Sequence, residues 1–194
     1  KPVVANDAVS YYGLNRSTPA DLELRSSADP SIKTGTQTVK LKESKDGKAI
    51  YVVERTGGLQ ALGVDTVQAD EKGVRIVGTS LGELKGDSME LPAKLSVGTT
   101  WKSNREMTLE GQGAVTTAET YKVVGIEKIA TPVGTFDALK IESSGTLNMG
   151  GSKSTISTRG WYVKDRGAVK IEIKTTRDGK TETITIQETK SGAK

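Results

Sequence analysis

Asp137, Glu142, Glu119 and Glu127 are the residues through which this chain could most readily do chemistry. Two carboxyl groups about 5–10 Å apart suffice for glycoside hydrolysis, one as acid and one as base or nucleophile. The competing reading is plainer: acids on alternating strands form the solvent-facing half of the pattern. The chain has no histidine and no cysteine. That excludes Ser-His-Asp and Cys-His hydrolysis, His-ligated zinc or haem, thiolate metal sites and dithiol redox motifs. Thr56-Gly57-Gly58 and Gly145 to Gly151 lack the spacing and the following helix of a phosphate loop. No D-x-D-x-D-G run marks a calcium loop. An S-x-x-K motif is also missing, since Ser96 is followed three on by Thr99 and Ser152 by Thr155. The sequence therefore assigns no catalytic residue, no metal ligand and no cofactor.

Trp101, Trp161 and Tyr162 are the candidate ligand contacts, because their rings offer flat apolar faces with a polar tip. The same side chains would equally well fill a core or cap the end of a barrel. The net charge is +4, but cations and anions alternate, as in Lys170, Glu172, Lys174, Arg177, Asp178 and Lys180. Such mixing gives a solvated surface without a basic stripe, so no nucleic-acid partner is expected. The 194 residues fit a single domain. No run of about 18 apolar residues exists to cross a membrane as a helix. The chain opens at Lys1-Pro2-Val3 without an apolar leader, so any signal or anchor segment is expected to have been removed or never present.

The elements that must position these residues are strands. Val169 to Lys174 alternates apolar and charged residues strictly, and so does Thr183 to Gln187. Asp178-Gly179 between them predicts a two-residue type I′ hairpin, which requires positive φ at both central positions. Counting back from that turn sets Ile173 opposite Ile184 and Ile171 opposite Ile186, all four buried on one face. Lys170, Glu172, Lys174, Thr183 and Thr185 fall on the other. Lys45-Asp46-Gly47-Lys48 predicts a second hairpin. A two-residue loop there sets Leu41 opposite Val52 but Glu43 opposite Ile50, so a three-residue loop with a bulge fits as well.

Further strands are expected at Leu59–Gln68, Val74–Ser80, Thr100–Leu109, Ala114–Ala130, Thr135–Leu147 and Thr155–Lys164. Turns separate them, among them Thr56-Gly57-Gly58, Glu71-Lys72-Gly73, Glu110 to Gly113, Gly150-Gly151 and Asp165-Arg166-Gly167. Ala114–Ala130 exceeds the usual strand length, and Gly125 is its natural bulge or bend. Pro132-Val133-Gly134 reads as a type II-like turn or as a type I turn with Gly at its fourth position. Leu91 to Gly98 reads as a rigid connector. The helix candidate is Thr18-Pro19-Ala20-Asp21, against which Leu22-Glu23-Leu24 alternates like a strand. Thr135, Asp137 and Leu139 share one face of their strand and Phe136 and Ala138 the other. This strand is then covered on both sides, with Asp137 partly buried and paired to Arg159 or Lys164. Long bent strands joined by tight turns imply an all-β domain, a curved antiparallel meander closed as a barrel or open as a half-barrel, with little helix.

Two segments carry a family resemblance: Thr131-Pro132-Val133-Gly134-Thr135-Phe136-Asp137-Ala138-Leu139-Lys140 and Gly160-Trp161-Tyr162-Val163-Lys164-Asp165-Arg166-Gly167-Ala168-Val169-Lys170. With Leu91-Pro92, Val97 to Trp101 and Tyr121 to Glu127, they resemble a β-rich domain family of unknown function found in exported bacterial proteins and lipoproteins. The likeness covers roughly residues 91–188 of a single domain spanning 1–194. It implies a mostly antiparallel, extracytoplasmic protein, periplasmic or at the cell surface, with a lipid anchor outside this chain. The chain is also similar, more distantly, to the half-barrels of bacterial lipoprotein carriers, whose concave face holds acyl chains. The resemblance brings no catalytic residue with it. Composition and likeness together point to a non-enzymatic binding or scaffold module whose partner is a hydrophobic ligand or an envelope protein. A lipid carrier is the second reading. Val123, Val124, Ile126, Leu139, Ile141 and Leu147 supply apolar residues beyond what one sheet face needs. A carboxylate-dependent glycan hydrolase is the third.

Overall fold

A computed structural model describes residues 4–109 and 113–190, and 70% of these residues are strand and 7% helix. The elements are α1 (Asp7–Tyr12), β1 (Ala20–Ser26), β2 (Lys33–Lys45), β3 (Lys48–Arg55), a 3-10 helix (Gly57–Leu62), β4 (Asp65–Asp70), β5 (Gly73–Thr79), β6 (Gly82–Asp87), β7 (Met89–Pro92), β8 (Thr100–Leu109), β9 (Gly113–Thr131), β10 (Gly134–Met149), β11 (Ser152–Val163), β12 (Gly167–Arg177) and β13 (Lys180–Glu188). All pair antiparallel in one sheet, ordered β4-β3-β2-β1-β13-β12-β11-β10-β9-β8-β6-β5 with β7 beside β5. An added β4–β5 pairing closes this sheet into a twelve-strand barrel. The closed form is thus the one realised, rather than a half-barrel.

Turn chemistry sets the register. Asp178 (φ 50°) and Gly179 (φ 75°) form the type I′ turn, and Arg177 faces Lys180, Ile173 faces Ile184 and Ile171 faces Ile186. The four isoleucines share one face, but each is only half-buried. They face the barrel interior, where a closed core was expected over them. Asp46 and Gly47 repeat the same φ values in a two-residue loop. The mismatch anticipated there is resolved inside the strand: Glu43 faces Ile50, Lys42 bulges, and Leu41 faces Tyr51. In β9 the bulge falls at Val124, next to Gly125, so that Lys140 faces Gly125 and Ile141 faces Val123. Thr131 faces Gly134 across Pro132-Val133, and Val133 does not have positive φ, so the turn is of type I with glycine at its fourth position.

Three expectations are corrected. Thr18–Asp21 is not helical, because β1 begins at Ala20 and the alternation of Leu22-Glu23-Leu24 prevails. The helix lies earlier, where the Asn6 side chain accepts from the Val9 N–H at 3.0 Å and Gly13 closes the C-terminus at φ 79°. Leu59 is not in a strand; it is fully buried in the 3-10 helix beneath Ala20 and Leu22. Asp137 is exposed, and among the described residues it makes no ion pair; Arg159 turns to Glu142. The turn expected at Glu110 to Gly113 has residues 110–112 outside the described ones.

An eight-strand barrel is about the size whose inward side chains just fill it. Twelve strands enclose more than strand side chains can fill. Helix α1 takes up part of the excess by plugging one end. Ala8 and Val9 are fully buried there with Leu139, Ile141 and Val123. The plug is bolted to the barrel's loops. Asp7 N–H donates to Ala93 O, and Leu95 N–H donates to the Asp7 carboxylate. Asn6 Nδ2 donates to Asp70 O, and Ser10 Oγ to Asp165. Gly13 rests directly on the β11–β12 turn: a Cβ there would lie 2.8 Å from the Arg166 carbonyl carbon.

Candidate functional site

Alternation divides the candidate residues between the two faces of the wall. On the outer face, Lys140 Nζ lies 2.8 Å from Glu127 and 3.6 Å from Glu142, and Arg159 Nε lies 3.5 Å from Glu142. The Lys140 hydrogen bond holds the Glu127 carboxyl below its ordinary range. Glu119 points the other way, into the barrel, and accepts from Ser143 Oγ at 2.7 Å and Tyr121 OH at 3.0 Å. Of the four acids, Glu127 and Glu142 come together, flanking Lys140 on the outer face, while Glu119 lies inside and Asp137 is exposed. Among the described residues no group of three or more acids is placed to hold a metal ion.

The aromatic candidates separate as well. Trp101 stacks on Tyr121 inside the barrel, ring centroids 5.2 Å apart and planes 11° from parallel. Trp161 is only 5% exposed and lies on the opposite face, packed with Ala138 and Val169. Lys140 and Lys170 cover it, their amines 5.7 Å and 5.3 Å from the ring centroid. Tyr162, the next residue, faces inward and lies over Gly160, whose missing side chain makes room for the ring. Of the three, Tyr162 alone lines the interior cavity described next.

That cavity measures about 430 Å³, within the range of small-ligand sites. Its apolar wall carries Leu22, Val39, Ile76, Ile171, Ile173 and Ile186. Tyr12, Tyr162 and two ion pairs line the cavity as well. Arg55 Nη1 lies 2.8 Å from Asp65 Oδ2, and Arg105 Nη2 lies 2.7 Å from Glu90 Oε1. Glu90 beside it raises the Arg105 guanidinium further above its ordinary value, and its buried Nε has no partner among the described residues. Burial pushes the Tyr12 and Tyr162 phenols well above their ordinary range, so both stay neutral. At the plug end lies an outer groove of about 340 Å³, and Arg16, Thr18 and Arg166 line both the groove and the cavity. Both arginines hold Glu188, each at 2.6 Å.

None of these charged residues was a sequence candidate, yet the signal was there. Arg55 is in phase with Tyr51 and Val53, and Arg105 with Trp101 and Ser103, so both must point where those residues point. The two sequence motifs converge on the outer groove, which Phe136 lines from one and Val163 to Arg166 from the other. The Arg166 guanidinium sits 4.7 Å from the Phe136 ring centroid.

Solved structures share this architecture. A protein described as exported, with a YmcC-like fold, from Bacteroides fragilis matches at a TM-score of 0.62 and 13% identity, over 90% of this chain and 96% of its own. A protein described as a lipoprotein, from Parabacteroides distasonis, matches at a TM-score of 0.64 and 13% identity, over 94% and 99% of the two chains. At such identity the likeness is one of fold. No curated protein matches the chain. The DUF3108-like family model matches residues 77–185, more than half the sequence and all of the segment in which the two motifs meet, and the chain belongs to that family.

Proposed function

We propose that this protein is a non-enzymatic, extracytoplasmic binding module that takes the apolar part of a small ligand inside its barrel. One observation carries the reading: Ile171 and Ile173 face a cavity instead of a packed core, and Ile186, packed at one side against the Ala20, Leu22 and Leu59 cluster, lines it too. Apolar side chains left beside open volume forgo the stabilisation of contact, about 25 cal/mol for each Å² that a ligand would cover. A chain placed there recovers it. The neutral phenols and paired charges that also line the cavity would hold a polar end. Extracytoplasmic placement is supported by the descriptions of the structural neighbours as exported or lipoprotein.

The test uses N-phenyl-1-naphthylamine, an uncharged dye that brightens in apolar sites. Saturable binding at micromolar dye, lost in Ile171→Asp with the fold retained by circular dichroism, is the expected result. Unsaturable or unchanged fluorescence would leave the barrel a scaffold acting through its outer surface.

A further inference from the structure

The charges at the plug end are not balanced, and the imbalance sits on Arg16 and Arg166, which line both the cavity and the outer groove. Arg55 and Arg105 each have a carboxylate of their own. Arg16 and Arg166 share one, Glu188, which is only 3% exposed and lies on the last residue of β13. Arg16 is occupied further, with Nε on Thr18 O at 2.8 Å and Nη1 on Arg166 O at 3.3 Å. Arg166 spends only Nε on Glu188. Its two terminal nitrogens have no hydrogen-bond partner among the described residues, and Phe136 beneath the plane holds the guanidinium in place. Lys164 lines the same groove and adds a third cation to Arg16 and Arg166. The local acid, Asp165, already accepts from Ser10 Oγ and Asn15 Nδ2, at 2.9 Å and 3.2 Å. Glu119, which has no cationic partner among the described residues, lies on β9 and does not line the cavity.

Building on the interior-ligand reading above, we infer that the ligand is an amphiphile with an anionic head, a carboxylate or phosphate monoester on an alkyl chain. The head sits on the Arg166 terminal nitrogens, with Arg16 behind them. The chain runs into the barrel along the apolar side chains of β12 and β13. A guanidinium with two parallel donors free matches either oxyanion in fork geometry. The shared Glu188 leaves one positive charge for the head to neutralise. A neutral head of the same chain length would leave that charge uncompensated in a half-buried site.

The experiment displaces N-phenyl-1-naphthylamine from the full chain with dodecanoate, dodecyl phosphate and 1-dodecanol. Expected is displacement by the two anions at concentrations about tenfold or more below that of the alcohol. Whichever anion is tighter identifies the head as carboxylate or phosphate. Arg166→Gln should collapse the ratio of anion to alcohol towards one, Arg166→Lys should keep part of it, and Glu188→Gln should raise it. Lys174→Glu, on the outer face, should leave it as it is. Equal displacement by anions and alcohol would overturn the anionic-head assignment while leaving an interior ligand standing. A full preference surviving in Arg166→Gln would overturn the place given to the head. Dye that binds but yields to none of the three overturns the alkyl chain, and dye that never binds overturns the interior-ligand reading itself.

Discussion

Gly145 and Gly125 sit on neighbouring strands and show how differently one residue type is used in this wall. A Cβ on Gly145 would stand 1.9 Å from the Ala118 carbonyl oxygen across the β9–β10 ladder, whereas a Cβ on Gly125 meets nothing within 4 Å. Gly145→Ala must therefore push two paired strands apart, at a cost of about 1–3 kcal/mol, the usual range for overpacking. Gly125→Ala should stay within about 0.5 kcal/mol of the parent. Urea denaturation of the two variants checks the contrast. Equal stabilities would mean the close approach at Gly145 does not exist. Ile173 belongs to the same scale. Being half-buried, it should lose only about 1 kcal/mol on change to Lys, less than full burial would imply, and Lys174→Glu on the exposed side should shift the melting temperature little. Leu91, at 1% exposure, has no such latitude. Leu91→Ala should cost about 2–5 kcal/mol.

At the scale of elements, short-range chemistry was readable and long-range closure was not. Asp178-Gly179 and Asp46-Gly47 each demanded positive φ in sequence, and both turns formed as the residues require. Thr100–Leu109 could be bounded to the residue because turn signals flank an alternating run. Helix α1 escaped because six residues are too few to show a 3.6 period. Its evidence lay only in the caps, Asn6 and Gly13. That sets its own prediction: Asn6→Ala removes both the cap to Val9 and the bond to Asp70, and should cost about 1–2 kcal/mol. Loosening of the plug should also show as faster hydrogen exchange in α1 than in β10. Retained exchange protection at α1 would show that apolar packing alone holds the plug. Barrel closure rests on the β4–β5 pairing, which is local in sequence but takes its meaning from ten other strands lying between them around the ring. The candidate site was half legible. Trp161 and Tyr162 are adjacent on a strand and so could never share a face. The interior arginines and acids were passed over because charge on a strand reads by default as solvent-facing, although their phase said otherwise.

For the molecule as a whole, the interior is a place where phenols must stay neutral. Tyr12, Tyr121 and Tyr162 all face inward, and burial, assisted by the nearby Glu90, raises each well above the ordinary phenol value of 10.0. Burial raises Tyr51 as well. A group whose folded pKa is raised contributes its stability fully below its unfolded pKa and loses it as pH rises above that value. Below about pH 10 these phenols are neutral in both states and cost nothing. Above it the unfolded chain ionises them while the fold holds them protonated, so stability falls by more than about 1 kcal/mol per pH unit for each phenol involved. Arg105, held above its ordinary value by Glu90, keeps its charge throughout, so its ion pair does not offset the loss. The melting temperature should accordingly hold steady from pH 8 to about 10 and then drop steeply, with tyrosinate absorbance from these residues rising only as the protein unfolds. Tyr121→Phe removes one ionisable group, and with it the hydrogen bond to Glu119. It should start from a lower melting temperature at pH 8 yet fall less steeply above pH 10. Tyrosinate absorbance that developed fully in the folded protein, ahead of unfolding, would mean that water reaches these phenols and that the barrel interior is open.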